Sequence, residues 1–170
     1  MNKTVEASLN KQINAEEHAS RLYFAMAVWC DRNGFPGSAK YLYAHAEEER
    51  IHMIKLVHYV NERGGNAVTD SLPKPSNNWE NIQALFKEVL THEVMVTGMI
   101  NSMYEVCFQE KDYLTSNFLQ WYIQEQVEEE SSSREILDKL NLAGSTQGGL
   151  FLFDKEMATL AAASAVKPAI

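Results

Sequence analysis

Apolar residues recur at alternating steps of three and four along four long segments, which is the spacing of one face of an α-helix. The segments cover about 5–32, 38–63, 78–110 and 112–142. Each is roughly 26–33 residues long, or about 40–50 Å at ~1.5 Å per residue. Helices of that length are typical of a bundle. A shorter apolar segment at 150–163 predicts a fifth helix.

The connections between these segments predict how the helices are joined. Glycine-rich or very short breaks separate the first helix from the second, where Ser38 is a plausible N-cap, and the third from the fourth. The segment 64–78 is instead polar and contains Pro73 and Pro75. Its extended length of ~50 Å, at ~3.3 Å per residue, matches that of the bundle. We therefore predict an all-α fold in one domain, 1–170: a four-helix bundle (about 5–142) with one long crossover between helices two and three, plus the short fifth helix.

Composition and charge narrow the function. The chain is 45% hydrophobic and 22% charged, as in soluble globular proteins. A net charge of -8 argues against nucleic acid as a partner, because no basic face is available for phosphate. The polar N-terminus and the absence of an apolar run of ~20 residues give no sign of export or of a membrane span. Cys30 and Cys107 are expected to be buried and reduced, so we predict a cytoplasmic protein.

Each apolar helix stripe carries a carboxylate near its middle, and these residues are Glu16, Glu49, Glu93 and Glu129. Glu93 and Glu129 lie equally far from the turn at Lys111, so antiparallel helices joined there place them at one height. Glu16 and Glu49, on the first two helices, lie at similar distances on either side of the break at Phe35. We therefore expect all four side chains to form one buried layer, named here the carboxylate layer.

Four buried acids at one level need compensation, because each unpaired buried charge costs several kcal/mol. Protons, basic side chains or metal ions could supply it. No Lys or Arg lies on these stripes near the layer, and protonation of all four acids at pH 7 is unfavourable. Two divalent cations would balance four negative charges. Carboxylates with an imidazole suit iron or manganese, and tolerate zinc.

The strongest local motif is Glu49-x-x-His52, whose two side chains lie on one helix face. A Glu-x-x-His motif alone is weak. In combination with single glutamates from other helices, however, it is the arrangement of di-iron carboxylate bundles. Gln126-x-x-Glu129 lies in register with it on the fourth helix. The sequence therefore predicts a dinuclear metal site.

At these residues the chain resembles bacterial non-haem ferritins, over nearly its whole length. The motifs that carry the resemblance are Asn14-Ala15-Glu16, His45-Ala46-Glu47-Glu48-Glu49, His52-Met53, His92-Glu93, Asn117-Phe118-Leu119-Gln120-Trp121-Tyr122, Glu125-Gln126, Glu128-Glu129, Asp138-Lys139-Leu140 and Leu142-Ala143-Gly144. The resemblance implies a ferritin-like fold. It also implies an iron-storage function, with Fe(II) oxidised by O2 or peroxide and ferric oxide deposited inside a shell of 24 subunits.

The resemblance implies a ferroxidase centre with these ligands: Glu16, Glu49, His52, Glu93, Gln126 and Glu129. Glu49 would bridge the two irons. The same residues would be catalytic together with Tyr23, a redox-active tyrosine near the centre. A possible third iron site would be formed by Glu48, Glu125 and Glu128, with Glu129.

Haem is not expected. Bacterioferritins carry a second Glu-x-x-His where this chain has Gln126-x-x-Glu129, and they bind haem through a methionine at the position of Arg50. No C-terminal pair of CxxC motifs is present, which argues against rubrerythrin.

Several alternatives stay open. We expect His45 to be a hydrogen-bonded core histidine rather than a ligand, and His92 to lie at the surface or between subunits. The glutamates of the third site could simply be solvated. Apolar residues outside the stripes, at 22–26 and 41–43, predict an oligomer interface. The competing functions are an oxygenase or peroxidase on the same scaffold and a bundle with no catalytic activity.

Overall fold

The structure is a computed structural model that describes residues 1–164, so the last six residues of the predicted domain lie outside it. The described chain forms six helices: α1 Lys3–Arg32, α2 Pro36–Glu62, α3 Ile82–Gln109, α4 Tyr113–Phe118, α5 Gln120–Ala143 and α6 Gln147–Ser164. Only Leu119 separates α4 from α5, and its backbone is itself helical (φ -70°, ψ -12°). Together α4 and α5 are the fourth bundle helix. The predicted four-helix bundle with a short C-terminal helix is confirmed.

The long crossover follows α1 along most of its length. Asn10 donates to the carbonyl oxygen of Asn66 at 3.0 Å near one end of α1, and Arg32 donates to that of Asn77 at 3.4 Å at the other end. The crossover therefore returns the chain to the end of the bundle where α2 begins. As a result α3 runs parallel to α2 and antiparallel to α1.

The start of α2 differs from the prediction. The helix begins at Pro36, a favoured first residue because proline lacks the N–H that would be unpaired there. Ser38 is therefore inside the helix and is not its N-cap. The cap comes from α6 instead: Asp154 accepts hydrogen bonds from the backbone N–H groups of Gly37 (2.9 Å) and Ser38 (2.7 Å) and from the Ser38 hydroxyl (2.8 Å). Such a cap, from a residue far away in the chain, leaves no local signal.

Two other helix starts were also misplaced. The third bundle helix begins at Ile82 rather than near residue 78, because the Asn81 side chain caps the backbone N–H of Ala84 at 2.8 Å. The C-terminal helix begins at Gln147, before the predicted 150. Shifts of four and three residues are usual for helix ends that are predicted from sequence alone.

The hydrophobic core consists of two clusters separated along the bundle axis. One contains Tyr23, Phe86 and the α6 residue Phe153, and the other contains Leu9 and Ile100. Cys30 and Cys107 are buried free thiols, as predicted. None of the helices described in residues 1–164 has a continuous apolar stretch sufficient to span a lipid bilayer. The space between the clusters is occupied by polar side chains, which form the candidate site.

Candidate metal centre

The carboxylate layer is buried between the two apolar clusters. Relative exposures are 2% for Glu16, 4% for Glu49, 1% for Glu93 and 8% for Glu129. Each bundle helix contributes one of these residues, and the burial agrees with the stripe pattern. A buried Leu or Phe in such a position would contribute about 1.5–3 kcal/mol. Four acids there forgo that stabilisation, which indicates that the layer serves a chemical purpose.

One end of the layer brings together Glu16, Glu49 and His52. Ligand atoms of these three residues lie within 4.8 Å of one another, and His52 Nδ1 is 3.3 Å from Glu49 Oε2. Gln12 donates to Glu16 Oε1 at 2.8 Å, which fixes that carboxylate. The sequence reasoning missed Gln12, although its position four residues before Glu16 on the same helix face could have indicated it.

The other end is centred on Glu93. Its carboxylate accepts hydrogen bonds from the Tyr23 hydroxyl and from Gln126 Nε2, the latter at 2.8 Å. The Tyr23 oxygen also lies 3.2 Å from Nδ1 of His92. His92 is buried, so its predicted surface position is wrong. The helical position next to Glu93 turns it toward α1, where it contacts Tyr23 and stacks on His18.

His45 lies at the Glu93 end of the layer, beside Glu93 and Glu129. It is 4% exposed, and its Nε2 atom has no hydrogen-bond partner. The nearest acceptors to Nε2 are Glu129 Oε2 at 3.5 Å and Glu93 Oε1 at 3.8 Å, while Nδ1 lies 3.6 Å from Glu48 Oε2. These separations exceed those of good hydrogen bonds. The expectation of a hydrogen-bonded core histidine is therefore wrong for Nε2.

Burial raises the pKa of three of the four glutamates. The pKa of Glu16 lies well above its ordinary value, because of burial and the nearby charge of Glu49. Burial and the charge of Glu93 raise the pKa of Glu49 to about 8. Burial raises the pKa of Glu129 to about 7, although His45 acts in the opposite direction. Without metal, these three side chains therefore hold protons at slightly acidic pH.

Glu93 and His45 behave differently. Burial opposes ionisation of Glu93, but the proximity of His45 and the hydrogen bonds from Tyr23 and Gln126 outweigh it and lower the pKa to about 2. Burial would lower the pKa of His45, yet the Glu129 charge and the other nearby acids raise it well above its ordinary value. The metal-free layer thus pairs one carboxylate anion with one imidazolium cation, and its charge is balanced by protons.

The residues proposed for a third iron are only partly together. Glu48 forms one possible ligand group with His52 and Glu125, and another with His45 and Glu129. Glu128 is exposed and belongs to none of the groups found within residues 1–164. Their role as a third site stays a prediction.

The arrangement suits two adjacent cations. Glu49 belongs both to the group with Glu16 and His52 and to a group with Glu93 and His45, which is the position that a bridging carboxylate needs. The ligand groups found among residues 1–164 consist of carboxylate oxygens and imidazole nitrogens. That donor set binds divalent transition metals such as iron, manganese and zinc.

Comparisons with known proteins agree with this geometry. The family model of the ferritin-like domain matches residues 6–143. A probable bacterial non-heme ferritin-like protein from Haemophilus influenzae is 43% identical and aligns over 94% of this chain and 97% of its own. A bacterial non-heme ferritin from Campylobacter jejuni is 39% identical over 95% and 96% of the two chains.

Solved structures are also similar. An open-pore ferritin from Archaeoglobus fulgidus superposes with a TM-score of 0.91 at 39% identity, over 93% of this chain and 98% of that one. Sequence and fold therefore agree over nearly the whole chain. With a matching family model, relatives above 30% identity and the same fold, this chain belongs to the ferritin family, among the relatives of the bacterial non-haem ferritins.

Proposed function

We propose that this chain is an iron-storage ferritin subunit that oxidises Fe(II) at the carboxylate layer and deposits ferric oxide inside an oligomeric shell. The observation that carries the proposal is the shared position of Glu49. It joins Glu16 and His52 on one side and Glu93 on the other, in a buried site. Two Fe(II) ions bound there as substrate would take the place of the protons that the metal-free site holds.

Each residue of the layer has a specific role in binding iron. Glu16 and His52 hold the first iron, Glu93 and Glu129 hold the second, and Glu49 bridges. Gln126 orients Glu93 through its 2.8 Å hydrogen bond. Each iron gives up one electron. O2 takes up two electrons and two protons to give hydrogen peroxide, or hydrogen peroxide takes up two of each to give two water molecules. The carboxylates stabilise the added positive charge of the ferric pair.

Tyr23 is proposed as a redox-active residue of the same centre. Its hydroxyl donates to Glu93, a ligand of the second iron, and is 3.2 Å from His92 Nδ1. Only the Glu93 side chain would therefore separate the Tyr23 ring from the second iron, a short path for electron transfer.

Assembly into a shell, of 24 subunits by analogy with the family, is supported by apolar side chains outside the core. On α1, Phe24 is 53% and Val28 is 44% exposed, and Phe24 contacts Tyr43 of α2 edge-on. Large exposed apolar side chains that lie close together are typical of a protein interface. We further propose that the shell is cytoplasmic. We also propose that it binds no haem, since Arg50 stands where bacterioferritins have the methionine that binds haem.

The test combines Glu49→Ala with His52→Ala. Stopped-flow oxidation of two Fe(II) per subunit should lose its fast phase, because both the bridging group and the imidazole of the first iron are gone. The matched control is Glu47→Ala with His58→Ala, which changes exposed residues of the same types on α2. Unchanged fast kinetics in the first variant would refute the assignment. Aerobic iron loading followed by sizing separates the other functions, since only a ferritin yields a large particle that retains iron.

A further inference from the structure

The imidazole of His45 is held in a fixed orientation by two tyrosine rings, with Nε2 directed toward the carboxylates. Its ring lies between the rings of Tyr23 and Tyr41, at centroid distances of 4.7 and 5.7 Å with interplanar angles of 27° and 24°. This packing fixes the ring plane, so the side chain cannot swing out to find a partner elsewhere. Nε2 has no hydrogen-bond partner, and the carboxylates that balance the imidazolium charge lie 3.5 Å (Glu129) and 3.8 Å (Glu93) from it.

The separations around Nε2 are those of atoms that share a metal ion. Ligand atoms about 2.1 Å from one ion are about 3.0–3.8 Å apart when the angle between them is about 90–130°. His45 Nε2 lies 3.5 Å from Glu129 Oε2 and 3.8 Å from Glu93 Oε1. Both distances are too long for a hydrogen bond and fall within this range. The two carboxylates are those expected to hold the second iron.

The second ring nitrogen fits the same interpretation. Metal-bound histidines usually direct their other ring nitrogen toward a carboxylate or a carbonyl group, which fixes the tautomer. Nδ1 of His45 faces Glu48 at 3.6 Å. Nδ1 thus faces an acid at 3.6 Å, too far for a hydrogen bond but on the side where a metal-bound histidine would place one, and Nε2 is directed into the carboxylate layer. Ligand atoms of His45, Glu49 and Glu93 also lie within 4.8 Å of one another.

We propose that His45 is a direct ligand of the second iron, through Nε2, together with Glu49, Glu93 and Glu129. The inference rests on the proposed function and adds a residue to it. Each iron then has one imidazole, His52 for the first and His45 for the second. An imidazole on each ion would favour iron over magnesium and calcium, which prefer oxygen ligands.

The deciding experiment is a crystal structure of the protein loaded with Zn(II), with the ions located by anomalous scattering. We expect two ions in the layer, the second within about 2.2 Å of His45 Nε2. A second ion held by Glu93 and Glu129 but more than about 3 Å from Nε2 would overturn the inference and leave the proposed function standing. If no Zn(II) ions bind in the layer, both this inference and the proposed function are overturned.

A solution measurement tests the same point. Competition titrations with Zn(II) should show that His45→Phe weakens binding of the second ion at least tenfold and leaves the first ion unaffected. His58→Phe, an exposed histidine on the same helix, is the matched control and should bind both ions normally. Equal weakening of both ions, or no weakening, would indicate a structural histidine. If His45→Phe does not assemble, the structure of the Zn(II)-loaded wild type decides.

Discussion

Metal binding should release protons from the carboxylate layer, because the metal-free site is balanced by protons and a bound cation needs ionised carboxylates. The perturbation is the addition of two Zn(II) per subunit to the metal-free protein. Zinc is chosen because it changes no oxidation state, so every proton that appears comes from ligand exchange. The proton count then measures how the layer is neutralised before iron arrives.

The expected magnitude follows from the pKa values. With a pKa of about 8 for Glu49 and about 7 for Glu129, the two side chains together hold about 1.7 protons at pH 6.5 and about 0.3 at pH 8.5. Glu16 and the His45 imidazolium, whose pKa values are also raised, add up to one proton each, the latter because Nε2 must be deprotonated to bind a metal. Glu93 adds none, because its pKa of about 2 keeps it ionised throughout. We therefore expect release of about two to four protons per subunit at pH 6.5, and a smaller release at pH 8.5.

The assay is an anaerobic titration in weakly buffered solution with a pH indicator. Glu129→Gln should release about 0.75 fewer protons per subunit at pH 6.5, because the amide has no proton to give up. Glu47→Gln, a change at an exposed position of α2, should behave as wild type. Release below about one proton at pH 6.5, or release that does not fall with pH, would refute this account of charge balance.

Three further outcomes are expected. The metal-free protein should lose stability as pH rises from about 4.5 to 8, because the native state holds protons on Glu49 and Glu129 that the unfolded chain has lost; urea unfolding across this range checks the sign. Asp154→Ala should lower the free energy of unfolding by about 3 kcal/mol and speed hydrogen exchange at the start of α2 about 100-fold, because the cap on the first N–H groups of α2 is lost. Glu156→Gln removes only a surface ion pair and should change neither quantity measurably. Gly37→Ala should push α6 away from α2 and lower the melting temperature, because the added Cβ would lie 1.8 Å from the Asp154 carbonyl oxygen. Gly98→Ala on α3 is the matched control and should leave the melting temperature unchanged, because its Cβ meets open space.

The sequence by itself determined the elements and the level of the site. Periodic apolar positions predict the helices, since one helix face must be buried wherever it packs. The length of the polar crossover predicted its path, because a chain of about 15 residues can span the bundle. Glu16, Glu49 and the other two glutamates of the layer stood out as charges within apolar stripes. All of these signals are local or nearly so.

Only the tertiary structure decided how the side chains pair. The cap on α2 comes from Asp154, 116 residues away in the chain, and no window of sequence contains both partners. The burial of His92 and the unpaired nitrogen of His45 depend on which neighbours the packed helices bring together. The opposite pKa directions of Glu49 and Glu93 likewise arise from different surroundings of the same residue type. Periodicity fixes the face that a residue occupies, whereas hydrogen bonding and charge depend on distances across helices that only the assembled bundle sets.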